Sequence, residues 1–190
     1  MKKLMILPAA LLFAGMVVNA QDNTEGVAKA TMELKDAKAE KKEAKKELRE
    51  LGNDNVSALA KDHFYTYFGD INATWRRTKY FDEASFVQDG KPMTAYYDID
   101  AELVGTTTPS EFSAIPANAQ RDIEKHFKGY DIGPVTLLDD NEANSSDMML
   151  YGSSVSDEDN YFVELSKGNK TVILQVSMQG LVRFFKELKK

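Results

Sequence analysis

His63 and His126 are the only histidines in a chain of 190 residues, and cysteine is absent. Two imidazoles without a third nitrogen or sulfur ligand do not complete a zinc coordination sphere, and no His-Glu-x-x-His pattern joins them. Each lies in a helical pattern, where surface or sheet-packing roles are expected. Without cysteine the chain has no disulfide, thiolate metal site, thiol nucleophile or lipoprotein anchor. Its serines form no Gly-x-Ser-x-Gly elbow or Ser-x-x-Lys arrangement, and no Gly-rich phosphate loop occurs. Asp and Glu number 30 against 24 Lys and Arg, so no carboxylate pair stands out as general acid and base. The expectation is a non-enzyme with no cofactor, no catalytic residue and no metal ligand.

The residues left are those suited to recognition. Trp75, Arg76 and Arg77 form a compact aromatic and basic spot, and Tyr96 and Tyr97 stand side by side in a strand-like segment. Strand alternation sends Tyr96 and Tyr97 to opposite faces, so one points away from the core and can anchor a protein, peptide or glycan. Asp139, Asp140, Glu142 and Asp147 offer hard oxygens of the kind calcium takes. Ala143 and Asn144 occupy the stretch, however, and it has neither the central Gly nor the terminal Glu of a calcium loop. It reads as a solvated loop flanking the binding surface. Asp98, Asp100 and Glu102 alternate but also lack that Gly. Four Asn-x-Ser/Thr matches, at Asn55, Asn72, Asn144 and Asn169, are weak signals in a chain rich in Asn and Ser.

Met1-Lys2-Lys3 is a basic start, Leu4 to Val18 is apolar, and Val18-Asn19-Ala20 ends in a small residue. This pattern predicts a secretory signal peptide over residues 1–20, cleaved before Gln21. Fifteen apolar residues are short of the roughly 20 that cross a bilayer, and the mature chain is expected to have no span. The expected location is the periplasm or the extracellular space. Cleavage leaves 22 basic and 30 acidic residues, a net charge of −8. That balance argues against nucleic acid as a partner.

The elements that must position the recognition residues follow. Residues 21–52 read as a charged helical arm. Val27 to Leu51 has no Pro or Gly, and Val27, Ala30, Leu34, Ala37, Lys41, Ala44, Leu48 and Leu51 make one narrow stripe. Half of that stripe is Ala or Lys, which suits a spacer or a loosely docked arm better than a self-associating coiled coil. Six acids among its eight basic residues disfavour a membrane-surface helix. Gly52 stops it.

Residues 53–109 and 110–190 read as two α+β units of the same order. Val56, Leu59 or Ala60, Phe64 and Tyr67 or Phe68 give a helix. Four short antiparallel strands follow, with Asp89-Gly90 as a tight turn and Asp100-Ala101 as another. The second helix starts at Pro116 and ends at Gly129. Strands then lie near residues 132–138, 148–151, 161–165, 171–176 and 181–185. Ala60, Phe64 and Phe68 match Ala119, Ile123 and Phe127 at an offset of 59. Met93 to Val104 matches Val172 to Arg183 at an offset of 79, with Ala101 against Gly180. The polar stretches 139–147 and 156–160 account for the added length.

Met93-Thr-Ala-Tyr-Tyr-Asp-Ile-Asp-Ala-Glu-Leu-Val-Gly105, Ile115 to Phe127 and Asn160 to Val172 together resemble the PepSY-like proteins of secreted bacterial origin, whose fold is related to the beta-lactamase inhibitory protein. The leader and composition resemble those of Bacteroidota. The resemblance covers residues 55–190 and implies helix plus curled antiparallel sheet units, often two in tandem, and a binding or inhibitory role. It brings no catalytic residues. Ala101 stands where such chains usually carry Gly.

Two functional expectations follow. One is a secreted non-catalytic binding module that uses Trp75, Arg76, Arg77, Tyr96, Tyr97 and the acidic stretch against an unknown protein, peptide or glycan. The other is an envelope-accessory protein acting through the arm. Export itself has a direct readout. Mass spectrometry of the protein from its native envelope or medium should find Gln21, free or cyclised, as the first residue, and a membrane-embedded product retaining Met1 would refute cleavage.

Overall fold

The computed structural model describes residues 29–37, 40, 44 and 55–188. Residues 29–37 are helical and exposed, as are 40 and 44; the leader and the remainder of the arm lie outside the described residues. Residues 1–40 form a unit separate from 41–190, and the body is treated by itself.

Helix α1 (Ala58–Phe68) begins where the Ser57 hydroxyl accepts from the Ala60 amide at 3.4 Å, and Gly69, at φ 85°, ends it. Helix α2 (Ala117–His126) follows Pro116, whose fixed φ suits a helix start. At that start the Gln120 side-chain amide donates to the Ile115 carbonyl at 2.8 Å. The matching stripes behave alike. Ala60 and Phe64 are buried with Phe68 half-covered, and Ala119 and Ile123 are buried with Phe127 half-covered.

Between and after the helices run β1 (Thr74–Arg77), β2 (Asp82–Gln88), β3 (Lys91–Tyr97), β4 (Leu103–Ser110), β5 (Asp131–Asp140), β6 (Met149–Leu150), β7 (Ser153–Ser154), β8 (Asn160–Lys167), β9 (Lys170–Ser177) and β10 (Val182–Leu188). Eight strands make one antiparallel sheet in the order β1-β2-β3-β4-β5-β8-β9-β10, and β6 and β7 form a separate hairpin. The fold is α+β. Strand β1 is only four residues long. Thr78 ends it, its amide donating to the Phe81 carbonyl and its hydroxyl accepting from the Phe81 amide.

Strand alternation gives the sheet two dissimilar faces. Toward the helices, α1 covers Ala84, Phe86, Ala95 and Tyr97, and α2 covers Val135, Val163, Leu165, Val172 and Leu174. The other face holds Phe81, Val104, Leu138, Phe162 and Ile173, and here Met148 and Val155 of the 141–159 segment are buried. That segment is a loop with Glu142, Ala143 and Ser145 exposed, but it is anchored rather than free over its whole length. Two well-placed apolar residues clip it onto the sheet, and Asn141 and Asn144 both donate to the Leu103 carbonyl.

The turns after β3 and β9 share one hydrogen-bond scheme. Asp98 N donates to Glu102 O and Ser177 N to Leu181 O, both at 3.0 Å, while the Asp98 carboxylate and Ser177 hydroxyl accept from the amides of Glu102 and Leu181. Each scheme needs a left-handed residue, Ala101 at φ 64° and Gly180 at φ 82°. A helix side chain seals each turn: His63 Nδ1 donates to Ala101 O at 2.7 Å, and Asn118 Nδ2 donates to Gly180 O at 3.3 Å. Because a carbonyl only accepts, this bond places the proton of His63 on Nδ1.

The two positions should respond differently to exchange. Ala101→Gly relieves about 1–2 kcal/mol of left-handed strain but gives back about 0.5–1 in chain entropy and about 0.8 in a buried methyl, so its unfolding free energy should stay within about 1 kcal/mol of wild type. Gly180→Ala adds that strain and places a Cβ 2.3 Å from Asn118 Oδ1. It should lose roughly 1–2 kcal/mol in urea unfolding; equal stability of the two variants would contradict this account of the turns.

Candidate binding surface

The face away from the helices carries a polar and aromatic band drawn from seven strands, β1 to β5, β8 and β10. On β1 and β2, Arg76 reaches Glu83 at 2.5 Å; the Arg76 side chain is 73% exposed and that of Glu83 15%. Solvent around the exposed Arg76 screens the pair, so its role is to orient charge rather than to stabilise. Tyr96 of β3 is half-buried beside it, packs edge-on against Phe81 at 5.6 Å, and shares a 3.0 Å hydroxyl bond with Thr107 of β4. Beyond Thr136 of β5, Tyr151 of the hairpin donates to Glu164 of β8 at 3.1 Å. Lys186 of β10 closes the band by donating to the Tyr151 carbonyl at 2.5 Å.

Tyr151 is the strained member. Its φ of 52° and the 72° of Gly152 make the tight turn between β6 and β7. A left-handed backbone is costly for a ringed side chain, and the surroundings hold it there. Its ring lies 6.2 Å from Phe162 and 6.4 Å from Phe185. Burial, then the Glu164 charge, pushes its phenol up to about 12, and burial also raises Tyr96. Both phenols therefore stay protonated; with its one proton given to Glu164, Tyr151 presents a partner with acceptor lone pairs. Toward the β1 edge the same face is open, where Ser85 and Val87 are exposed and Thr94 is half-exposed.

The residues singled out from sequence divide between the faces. Arg76 and Tyr96 belong to the band. Trp75 and Tyr97 lie toward the helices, where Trp75 meets Phe64 at 5.4 Å and Tyr97 is 1% exposed. Arg77, on that side too, reaches the buried Asp82 at 3.3 Å and donates to the Asn55 carbonyl. Asp139 and Glu142 are exposed, and Asp147 accepts from Ser154 at 2.7 Å. Asp140 is buried. Glu83, Thr107, Thr136, Tyr151, Glu164 and Lys186 escape a sequence reading, although the parity of Tyr96 along β3 would have pointed to Thr107 once the strand register was known.

No protein-family model and no curated protein matches the chain. Among solved structures, a BLIP-like protein of Bacteroides fragilis is 15% identical, with a TM-score of 0.57 over 74% of this chain and 92% of that one. The chain has the BLIP-like fold. A DUF2874 family protein of Bacteroides uniformis is 12% identical, with a TM-score of 0.54 over 70% of this chain and 89% of the other. A provisionally periplasmic protein of Bacteroides eggerthii is 13% identical at the same TM-score, over 70% and 88%. At these identities the likeness concerns the fold.

Asp140 gives the surface a pH dependence. Burial first, then the charges of Asp157, Glu142, Asp159 and Asp139, raise its carboxyl from 3.8 to about 6. The folded state thus binds a proton that the unfolded state has released between about pH 4 and pH 6. In metal-free buffer, stability should fall as pH rises through that window and stay lower above it, and Asp140→Asn should flatten this part of the profile. Urea unfolding from pH 4 to 7.5 checks it; an unchanged profile in the variant would remove Asp140 as the cause.

Proposed function

We propose that this chain is an exported, non-catalytic binding module that recognises a protein partner through the open sheet face, with peptide and glycan ligands as the other chemistries the same surface could take. The carrying observation is the band from Arg76 to Lys186, in which two protonated phenols and two carboxylates are held in place by bonds across neighbouring strands. Preset side chains lose little entropy on binding, and aromatic and Arg anchors dominate interface energies. The BLIP-like fold supports protein recognition, and inhibition of an enzyme partner is the finer form of the reading. The leader-like pattern of residues 1–20 and the provisionally periplasmic neighbour support an envelope location.

A second reading rests on the arm, where Met32 and Leu34 are 69% and 64% exposed. In it, residues 21–52 make the contact and the body is a passenger. Capture from native envelope extract, using the exported chain and residues 53–190, separates the two. Surface recognition predicts that partners persist without the arm. Arg76→Glu and Val87→Asp, both at exposed positions, should weaken capture, and Tyr96→Ala should weaken it at least 30-fold, equivalent to about 2 kcal/mol. Partners lost with the arm and unmoved by folded band variants would reject the sheet surface.

A further inference from the structure

Asp140 closes β5 on the face away from the helices, opposite Gly105 of β4. It is 5% exposed, and its Oδ2 is sealed from solvent with no hydrogen-bond partner. An ionised carboxylate in that position is costly unless a cation or several donors meet it. The charges acting on it are all acidic, led by Asp157 and followed by Glu142, Asp159 and Asp139, with no Lys or Arg among them. The backbone draws these groups together. The Asp140 amide donates to Asp159 Oδ1 at 2.8 Å, which ties the end of β5 to the 156–159 bend, and Asp157 Oδ1 in that bend is itself buried.

We infer that Asp140 and Asp157 are the two carboxylate ligands of a calcium ion seated between the end of β5 and the 156–159 bend. The oxygen chemistry is that of a hard cation, and thiolate and imidazole ligands are missing from the segment. Among the described residues no three Asp, Glu or His side chains converge on one point, so main-chain carbonyls and water supply the rest of the sphere. Calcium tolerates such irregular sets of six to eight oxygens, whereas magnesium demands a near-ideal octahedron. The ion would neutralise the sealed Oδ2 and fasten the insertion to the sheet beside the band, independently of whether that band binds a protein.

The test is thermal unfolding of the exported chain at neutral pH, in chelator and then across a calcium titration at constant ionic strength. Extracellular two-carboxylate sites predict a midpoint on the order of 0.1–1 mM, and at a hundredfold excess over Kd the Tm should rise by about 5–10 °C. Magnesium at equal concentration should do far less. Asp140→Asn and Asp157→Asn should each raise the metal-free Tm and abolish the calcium response, while Asp131→Asn, at the far end of β5, keeps it. A wild-type Tm that calcium leaves unmoved would overturn the assignment, as would an equal rise in folded Asp140→Asn.

Discussion

The antiparallel pairing of β4 with β5, from Gly105 against Asp140 to Ser110 against Val135, is the contact on which the rest of the body depends. It converts two four-strand groups into one sheet and aligns their faces, so both helices fall on one side. At its end the two backbones approach closely. A Cβ on Gly105 would stand 2.7 Å from the Asp139 carbonyl and 3.3 Å from the Met148 methyl. Glycine there is a condition of the joint, because any larger side chain would push the strands apart or displace the buried methionine. The band crosses this seam between Thr107 and Thr136, so polar and aromatic groups from both halves share one surface.

Local signals were the legible part of this chain. The 3-4 spacing of Ala60, Phe64 and Phe68, and of Ala119, Ile123 and Phe127, places both helices and their buried faces, since amphipathic period is a property of neighbouring residues. Asp89-Gly90 gave its turn for the same reason, with Asp89 at φ 51° and Gly90 at φ 75°. Alternation also put Tyr96 and Tyr97 on opposite faces. It could not say which face a distant helix would cover, and so Trp75, Arg77 and Tyr97 were grouped with the surface they do not share. Parity is local, whereas coverage is decided by elements far along the chain.

The acidic stretch was legible only in part, for a related reason. Asp139 to Asp147 is polar enough to suggest a solvated loop, yet Met148 and Val155 bury two side chains at 0% and 2% exposure and draw the segment down. Mean composition hides such an arrangement, because two apolar contacts outweigh many exposed polar groups that lose little by staying wet. Asp140 then lies beneath the insertion, on the face away from the helices, by register alone, next to carboxylates that sequence places up to 19 residues away.

The insertion leaves and rejoins the sheet at neighbouring positions, since Leu138 of β5 is paired with Asn160 of β8. Its ends are therefore held together by the sheet whatever lies between them. Loop-closure entropy grows only logarithmically, so doubling such a segment costs about 0.6 kcal/mol beyond any contacts it loses. The protein thus carries, above the sheet face, a stretch whose exposed positions, such as Glu142, Ala143 and Ser145, can change while Met148 and Val155 hold it down and the strands beneath keep their register. Changes of length and charge on this side of the molecule thus have a place to occur that leaves the scaffold intact.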